Sequence, residues 1–207
     1  MPRAGLAPGS VTEAGAVLVD EVGFDRLSMG LLAERLGVKT PSLYKHVDSL
    51  ADLAHRIAVL AATELGDAIR DATQGRADSD ALAAAAGAMR TYAREHPGRY
   101  VAVNSARLAG YDDPLVPARG RLLDSFAAVL RGYRLDSGQE IHALRMLRSM
   151  MHGFAALEVA GGFQIDTDVD DSFAWLIDFI DQGLQATAAT SSLNAPPAAD
   201  HWPRPLL

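Results

Sequence analysis

The chain of 207 residues carries a formal net charge of −7, contains no cysteine, and is 49% hydrophobic with 22% charged residues. Those proportions lie in the globular range and exclude wholesale disorder; zero cysteine excludes a disulfide scaffold, an iron–sulfur centre, a thiolate zinc site and a cysteine nucleophile. No run approaches the roughly 18 apolar residues that span a bilayer, and the leading MPRAGLAPGS lacks a signal peptide's apolar core, so a cytoplasmic protein with no membrane partner is expected.

Helical periodicity runs through almost the whole chain. Ser10-Val11-Thr12-Glu13 has the pattern of a capping box, opening a first helix with Val11, Ala14, Leu18 and Val22 on one face and Gly23 as its stop. Ser28 is placed to cap a short second helix carrying Leu31, Leu32 and Leu36, which ends at Gly37. Thr40 directly precedes Pro41, so a third helix is expected from Pro41 to about Val47 with Thr40 as its cap. Asp48 or Ser49 caps a fourth, with Leu50, Leu53, Ile57 and Leu60 on one stripe, running to about Thr73. After the polar break Gln74 to Asp80, helices are expected over about 80–95, from Pro97 to about Ala106, and beyond Asp113-Pro114. Ser137-Gly138-Gln139-Glu140 reads as a second capping box, opening a segment to about Val159 that Gly161-Gly162 breaks. The last helix begins within Asp168–Asp171, runs to about Thr187, and has Trp175 and Phe179 off its main apolar stripe. Such a helix is usually covered on two sides, the second by another subunit. No period-2 run suggests a strand.

The fold class expected is therefore all-α. Residues 1–47 would form a three-helix domain, residues 48–187 a larger helical domain, and the proline-rich residues 188–207 a flexible tail.

Placing the charges on the chain changes what the net value of −7 means. Residues 1–48 hold five basic and six acidic side chains, a balance of −1; the remainder holds 14 and 20, a balance of −6. Both lysines of the chain, Lys39 and Lys45, fall on one short element. Around them, a helix of about nine residues, a glycine-containing turn and a short capped helix give helix-turn-helix spacing. The glycine allows the sharp reversal, Val38 plugs the joint, and the second helix presents Lys39, Thr40, Ser42, Tyr44, Lys45 and His46. An α-helix fits the major groove of B-DNA, its N-terminal residues reaching base edges while flanking donors hold phosphates. The competing reading is a helical hairpin with a polar exposed face.

The stretch LAERLGVKTPSLYKHVDSLADL resembles the signature of the tetracycline-repressor (TetR) family of bacterial transcriptional regulators. About 45 residues carry that resemblance, the first helix and Leu27-Ser28-Met29 included, whereas the C-terminal part is similar only in helical architecture. His152-Gly153-Phe154 also resembles a C-terminal subclass with a Trp-His-Gly motif, here with Met151 in place of the tryptophan. The resemblance implies a ligand-responsive regulator, most often a repressor, that binds a palindromic double-stranded DNA operator as a homodimer and is released by a small-molecule effector. It further implies that Ser28, Lys39, Thr40, Pro41, Ser42, Tyr44, Lys45 and His46 belong to the DNA-binding set, with Tyr44 and Lys45 on phosphates, Lys39, Thr40 and Ser42 at base edges, and Leu43 in the core. Where the family often has a basic residue early in the second helix this chain has Gly30, and where it often has a lysine opening the fourth helix this chain has Leu50. Fewer phosphate contacts mean a shallower salt dependence, by roughly 0.9 in the log–log slope for each.

An effector pocket is expected between helices of the C-terminal domain. The stripe His142, Arg145, Ser149 and His152 either recognises a polar ligand or is satisfied at an interface or in the core. Tyr92, Asn104, Tyr111 and Phe126 join Arg145, Ser149 and His152 as candidate pocket residues, and Phe154, Leu157, Trp175 and Phe179 are the candidate dimer interface. No cofactor, metal cluster or enzymatic motif is evident: Glu140-Ile-His142 has the wrong spacing for a helical di-metal site, and no HExxH, GxSxG or phosphate-binding glycine loop occurs. The alternative function is a helical small-molecule-binding dimer without a DNA role.

Overall fold

The computed structural model describes residues 7–194, with side chains up to 190. Among the described residues every regular element is helical: α1 (Pro8–Val22), a single 3-10 turn (Phe24–Arg26), α2 (Met29–Leu36), α3 (Thr40–Leu43), α4 (Leu50–Thr73), α5 (Asp78–Glu95), α6 (Pro97–Ser105), α7 (Leu115–Arg131), α8 (Ser137–Val159) and α9 (Val169–Asn194). No helix among these residues is long and apolar enough to cross a membrane. The chain divides into two compact units, one from Met1–Glu64 with Tyr92–Arg119, the other from Leu65–Thr91 with Gly120–Leu207.

The helix starts follow elementary capping chemistry, at positions one to three residues before the expected ones. Pro8 takes the first position of α1, where a missing N–H is harmless, so Ala7 is the cap residue. Ser10 then sits in the first turn, and its Oγ accepts the Ala7 N–H at 3.0 Å. In α3 the Ser42 N–H bonds the Lys39 carbonyl at 2.8 Å, which makes Lys39 the cap and puts Thr40 inside the helix. In α8 the Asp136 carboxylate, which also suits the positive end of the helix dipole, accepts the Gln139 N–H at 2.9 Å and displaces Ser137 from that role. Ser28 caps α2 as expected, accepting the Leu31 N–H at 3.2 Å.

In the first unit, Val11, Val19, Leu32, Leu43, Leu53 and Ile57 are sealed in one core. The α1–α6 contact is backbone against backbone: a Cβ on Gly98 would stand 2.1 Å from the Val19 carbonyl oxygen, so no other residue fits there. Beside it, Asp20 accepts the Arg99 N–H at 2.9 Å, Arg99 reaches Glu64 at 3.1 Å, and the Tyr92 hydroxyl donates to Glu64 at 2.7 Å. Asp113, almost wholly buried, accepts the N–H groups of Ala109 and Leu115 at 2.7 and 2.8 Å and bonds His55 Nε2 at 2.7 Å. Desolvation works to raise this carboxyl, but the two backbone donors and His55 outweigh it and hold it below the usual carboxylate range.

In the second unit, Arg90 of α5 is clamped by Glu158 of α8 and Asp170 of α9 at 2.6 and 2.7 Å. Its guanidinium lies over the rings of Phe173 and Phe154, a cation–π arrangement that shields the pair. Ile177, Ile180 and Leu184 form the buried stripe of α9. That helix continues to Asn194, past the expected end near Thr187. Residues 195–207, most of the expected tail, lie outside the described residues.

Candidate nucleic-acid interface

The helix-turn-helix is built by one glycine and two apolar anchors. Gly37 adopts φ 65°, ψ 33°, the left-handed conformation that a side chain disfavours, and ends α2 with two bonds back into the helix: Gly37 N–H to Glu34 O and Val38 N–H to Ala33 O, both 3.0 Å. The chain then reverses, and Leu43 and Val47 bury completely against the first-unit core. With those two side chains inward, the helical period turns Lys39, Pro41, Tyr44 and Lys45 outward, leaving Thr40, Ser42 and His46 half-buried at the base of the same ridge. Tyr44 is 52% exposed.

The α3 helix is shorter than the sequence suggests. It closes after Leu43 and loosens into a turn through His46, where both the His46 and Val47 N–H groups bond the Leu43 carbonyl. No acidic residue lies between Lys39 and Val47, and neither lysine enters an ion pair among the described residues. Two ammonium groups, three hydroxyls and an imidazole therefore stand together on a segment that carries no carboxylate of its own. Ser28 is half-buried and its oxygen already accepts the Leu31 N–H of the α2 cap, which leaves its hydroxyl proton to donate.

Two arginines near this surface have other partners. Arg35 forms a two-pronged pair with Glu21, with one bond at 2.9 Å, tying α2 to α1 and holding the Glu21 carboxyl below its ordinary range. Arg56 reaches back from α4 to the end of the α3 turn. The Asp52-to-Arg56 spacing of four residues signals an ion pair within a helix, but nothing local signals the bond from Arg56 to His46.

Comparison with known proteins gives this geometry its context. Residues 11–57 match the model for bacterial regulatory proteins of the tetR family, and residues 82–180 match that for the tetracyclin repressor-like C-terminal domain. An uncharacterised HTH-type transcriptional regulator of Mycobacterium tuberculosis is 38% identical over 164 residues, 79% of this chain and 75% of the relative. The chain belongs to the TetR family. A second relative, the uncharacterised HTH-type transcriptional regulator YobS of Bacillus subtilis, is 31% identical over 187 residues, 88% of this chain and 95% of the relative. BioQ, solved with its natural double-stranded DNA operator, shares the fold at a TM-score of 0.64 and 17% identity, over 88% of this chain and 99% of that one. The protein is thus a helix-turn-helix transcriptional regulator and not an enzyme. The C-terminal part, expected to resemble the family only in architecture, carries a sequence match of its own.

The residues expected to form an effector pocket fall in both units. Tyr92, Asn104 and Tyr111 belong to the first unit, Phe126, Arg145, Ser149 and His152 to the second. Tyr92 is buried and bonded to Glu64, and burial followed by that carboxylate pushes its hydroxyl's ionisation far above the usual tyrosine range. Asn104 donates to the Tyr100 carbonyl at 2.8 Å. Tyr111, at 95% exposed, stands on a loop. Phe126 is packed into the second unit's core. His142, Arg145 and Ser149 are exposed on α8 and only His152 is half-buried. A concavity of about 260 Å³ lies elsewhere, among Gly162, Phe163, Gln164, Ile165, Thr167, Val169 and Ser172.

The candidate interface residues divide differently. Leu157, Trp175 and Phe179 are 53%, 68% and 55% exposed, and the rings of Trp175 and Phe179 stack at 5.5 Å. Phe154 is half-buried, packed on Phe163 and Phe173 at 4.7 and 5.1 Å beneath Arg90.

Proposed function

We propose that this regulator is a repressor that binds a palindromic operator as a homodimer and is released by a small molecule. The observation that carries the reading is the ridge from Lys39 to His46, six hydrogen-bonding side chains raised over the buried Leu43 with no carboxylate among them. Lys39, Thr40 and Ser42 at the N-terminal end of α3 read base edges, with Pro41 in apolar contact beside them. Tyr44, Lys45, His46 and the Ser28 hydroxyl hold phosphates, following the division in which backbone contacts fix register and base contacts specify.

Homodimerisation is supported by the exposed Leu157, Trp175 and Phe179 on α8 and α9, a stacked aromatic surface of the kind that anchors subunit contacts. A two-fold dimer sets two α3 helices against successive major grooves, about 34 Å apart. An effector that prefers the DNA-incompetent form weakens operator binding by the factor by which the operator weakens effector binding. Effector recognition is assigned to residues 48–187, with Phe126, Arg145, Ser149 and His152 in the second unit and Tyr92, Asn104 and Tyr111 in the first.

The test is selection of genomic DNA fragments by the purified full-length chain, repeated in the presence of candidate effectors. Enrichment of a palindromic sequence, lost on addition of one compound, is the expected result. Dimers that enrich no sequence would establish instead a ligand-binding protein without a DNA role.

A further inference from the structure

The connection from α3 to α4 is closed by a set of side-chain bonds that no DNA contact explains. Arg56, on the second turn of α4, donates through Nη1 to the His46 carbonyl oxygen at 3.0 Å and through Nε to Asp52 Oδ1 at 2.9 Å. Its Nη2 pairs with Asp52 Oδ2 at 2.9 Å, so guanidinium and carboxylate meet as a fork, the geometry that fixes direction as well as distance. Asp52 also accepts the Asp48 N–H at 2.9 Å, while the Asp52 N–H donates to Ser49 Oγ at 3.0 Å. The His46 carbonyl is one of the terminal groups that a helical turn leaves without a partner of its own. Three arginine nitrogens are thus committed within the protein, and the residue that receives one of them sits directly after Tyr44 and Lys45.

We propose that Arg56 is a positioning residue for sequence reading: braced by Asp52, it holds the end of the α3 turn against α4 and so sets the angle at which the ridge meets base edges. The proposal rests on the operator-binding reading above. Its consequence is specific, because α3 is only four residues long and has no second turn to define its direction. A tilt that spoils one base contact lowers affinity for the correct site by about tenfold to a hundredfold and leaves binding to random sequence nearly untouched.

The experiment compares the duplex enriched by genomic selection with a scrambled duplex of the same composition, by fluorescence anisotropy over a salt series, each variant corrected for its active fraction. R56Q and D52N break the same clamp from opposite ends and change the local charge in opposite senses. Both are expected to reduce the ratio of selected to scrambled affinity by about tenfold or more, with the salt slope preserved, while R56K recovers part of the ratio. A purely electrostatic role moves overall affinity in opposite directions for the two variants and leaves the ratio intact. A role in stability alone removes active protein and also leaves the ratio intact. Either result overturns the proposal, as does an R56Q salt slope shallower by about 0.9, the mark of a lost phosphate contact. Failure of the unaltered chain to enrich any duplex overturns the operator reading, and this proposal with it; normal enrichment with an unchanged R56Q ratio overturns this proposal alone.

Discussion

In the first unit the outward groups of the helix-turn-helix are lysine, hydroxyl and imidazole side chains on a four-residue helix, its cap and the turn that follows, held from beneath by Leu43. In the second, α8 and α9 leave large apolar groups exposed, a leucine, a tryptophan and a phenylalanine among them, on helices of 23 and 26 residues. The first surface suits a hydrated, charged partner recognised through a few directed bonds; the second suits a partner that removes apolar area from water, where one or two aromatic anchors dominate. Each surface needs a different kind of support. A short helix cannot hold its own direction, so a glycine turn, a buried leucine and an arginine clamp do it from outside. The long helices carry no such devices; Arg90 and Glu158 pair below the surface, and Asp170 closes over the same guanidinium from the exposed side.

The sharpest way to break this contrast is to remove the reader's anchor. Leu43→Ala is expected to destabilise the first unit by about 2–5 kcal/mol, the usual range for a sealed leucine, and to abolish operator binding while the oligomer persists; urea denaturation with parallel sedimentation checks both. Replacing Trp175 and Phe179 together by alanine strikes the other surface. It should raise the dimer dissociation constant by about a hundredfold or more, since a single aromatic anchor of this kind contributes about 2 kcal/mol, with monomers still folded by circular dichroism. If sedimentation finds no change, the aromatic surface serves something other than self-association. Lys45→Ala has a smaller effect, making the salt slope shallower by about 0.9; because Gly30 and Leu50 withhold two further contacts, the slope of the unaltered protein should stay less steep than about −8. The smallest effect is at His152, where burial first and Arg148 second depress the pKa. The native state then favours the neutral ring, so its contribution to stability is complete above about 6.5, the unfolded value, and falls away as pH drops through that point. Urea midpoints measured downward from neutral pH should fall less in His152→Gln than in the unaltered chain.

What was legible in the sequence was whatever depended on neighbours along the chain. Ser28, Gly37 and, on α4, Leu53 and Ile57 name their structural roles by local rules, and the structure places them accordingly, whereas Leu50 at the start of the same stripe is exposed. Starts at Ser10, Thr40 and Ser137 were misplaced by one to three residues because a nearby proline, backbone carbonyl or carboxylate competes for the same cap. At the candidate site, the outward ridge from Lys39 to His46 follows from period and the burial of Leu43. The brace from Arg56 does not, since its partner is a backbone oxygen ten residues away. Arg90 and Glu158, 68 residues apart, were beyond any periodic argument. The same holds for Tyr92 and Asn104, whose polar atoms are engaged by groups that only the fold brings near them.

The stacking of Trp175 on Phe179 has a practical side. Trp175 is the one tryptophan among the described residues, and its indole faces solvent. An indole in water emits at longer wavelength than one sealed in an apolar seam, so dilution of the protein should redden its intrinsic fluorescence as subunits part. With Trp202→Phe leaving Trp175 as the sole tryptophan, that red shift on dilution tests, without a label, the self-association proposed above.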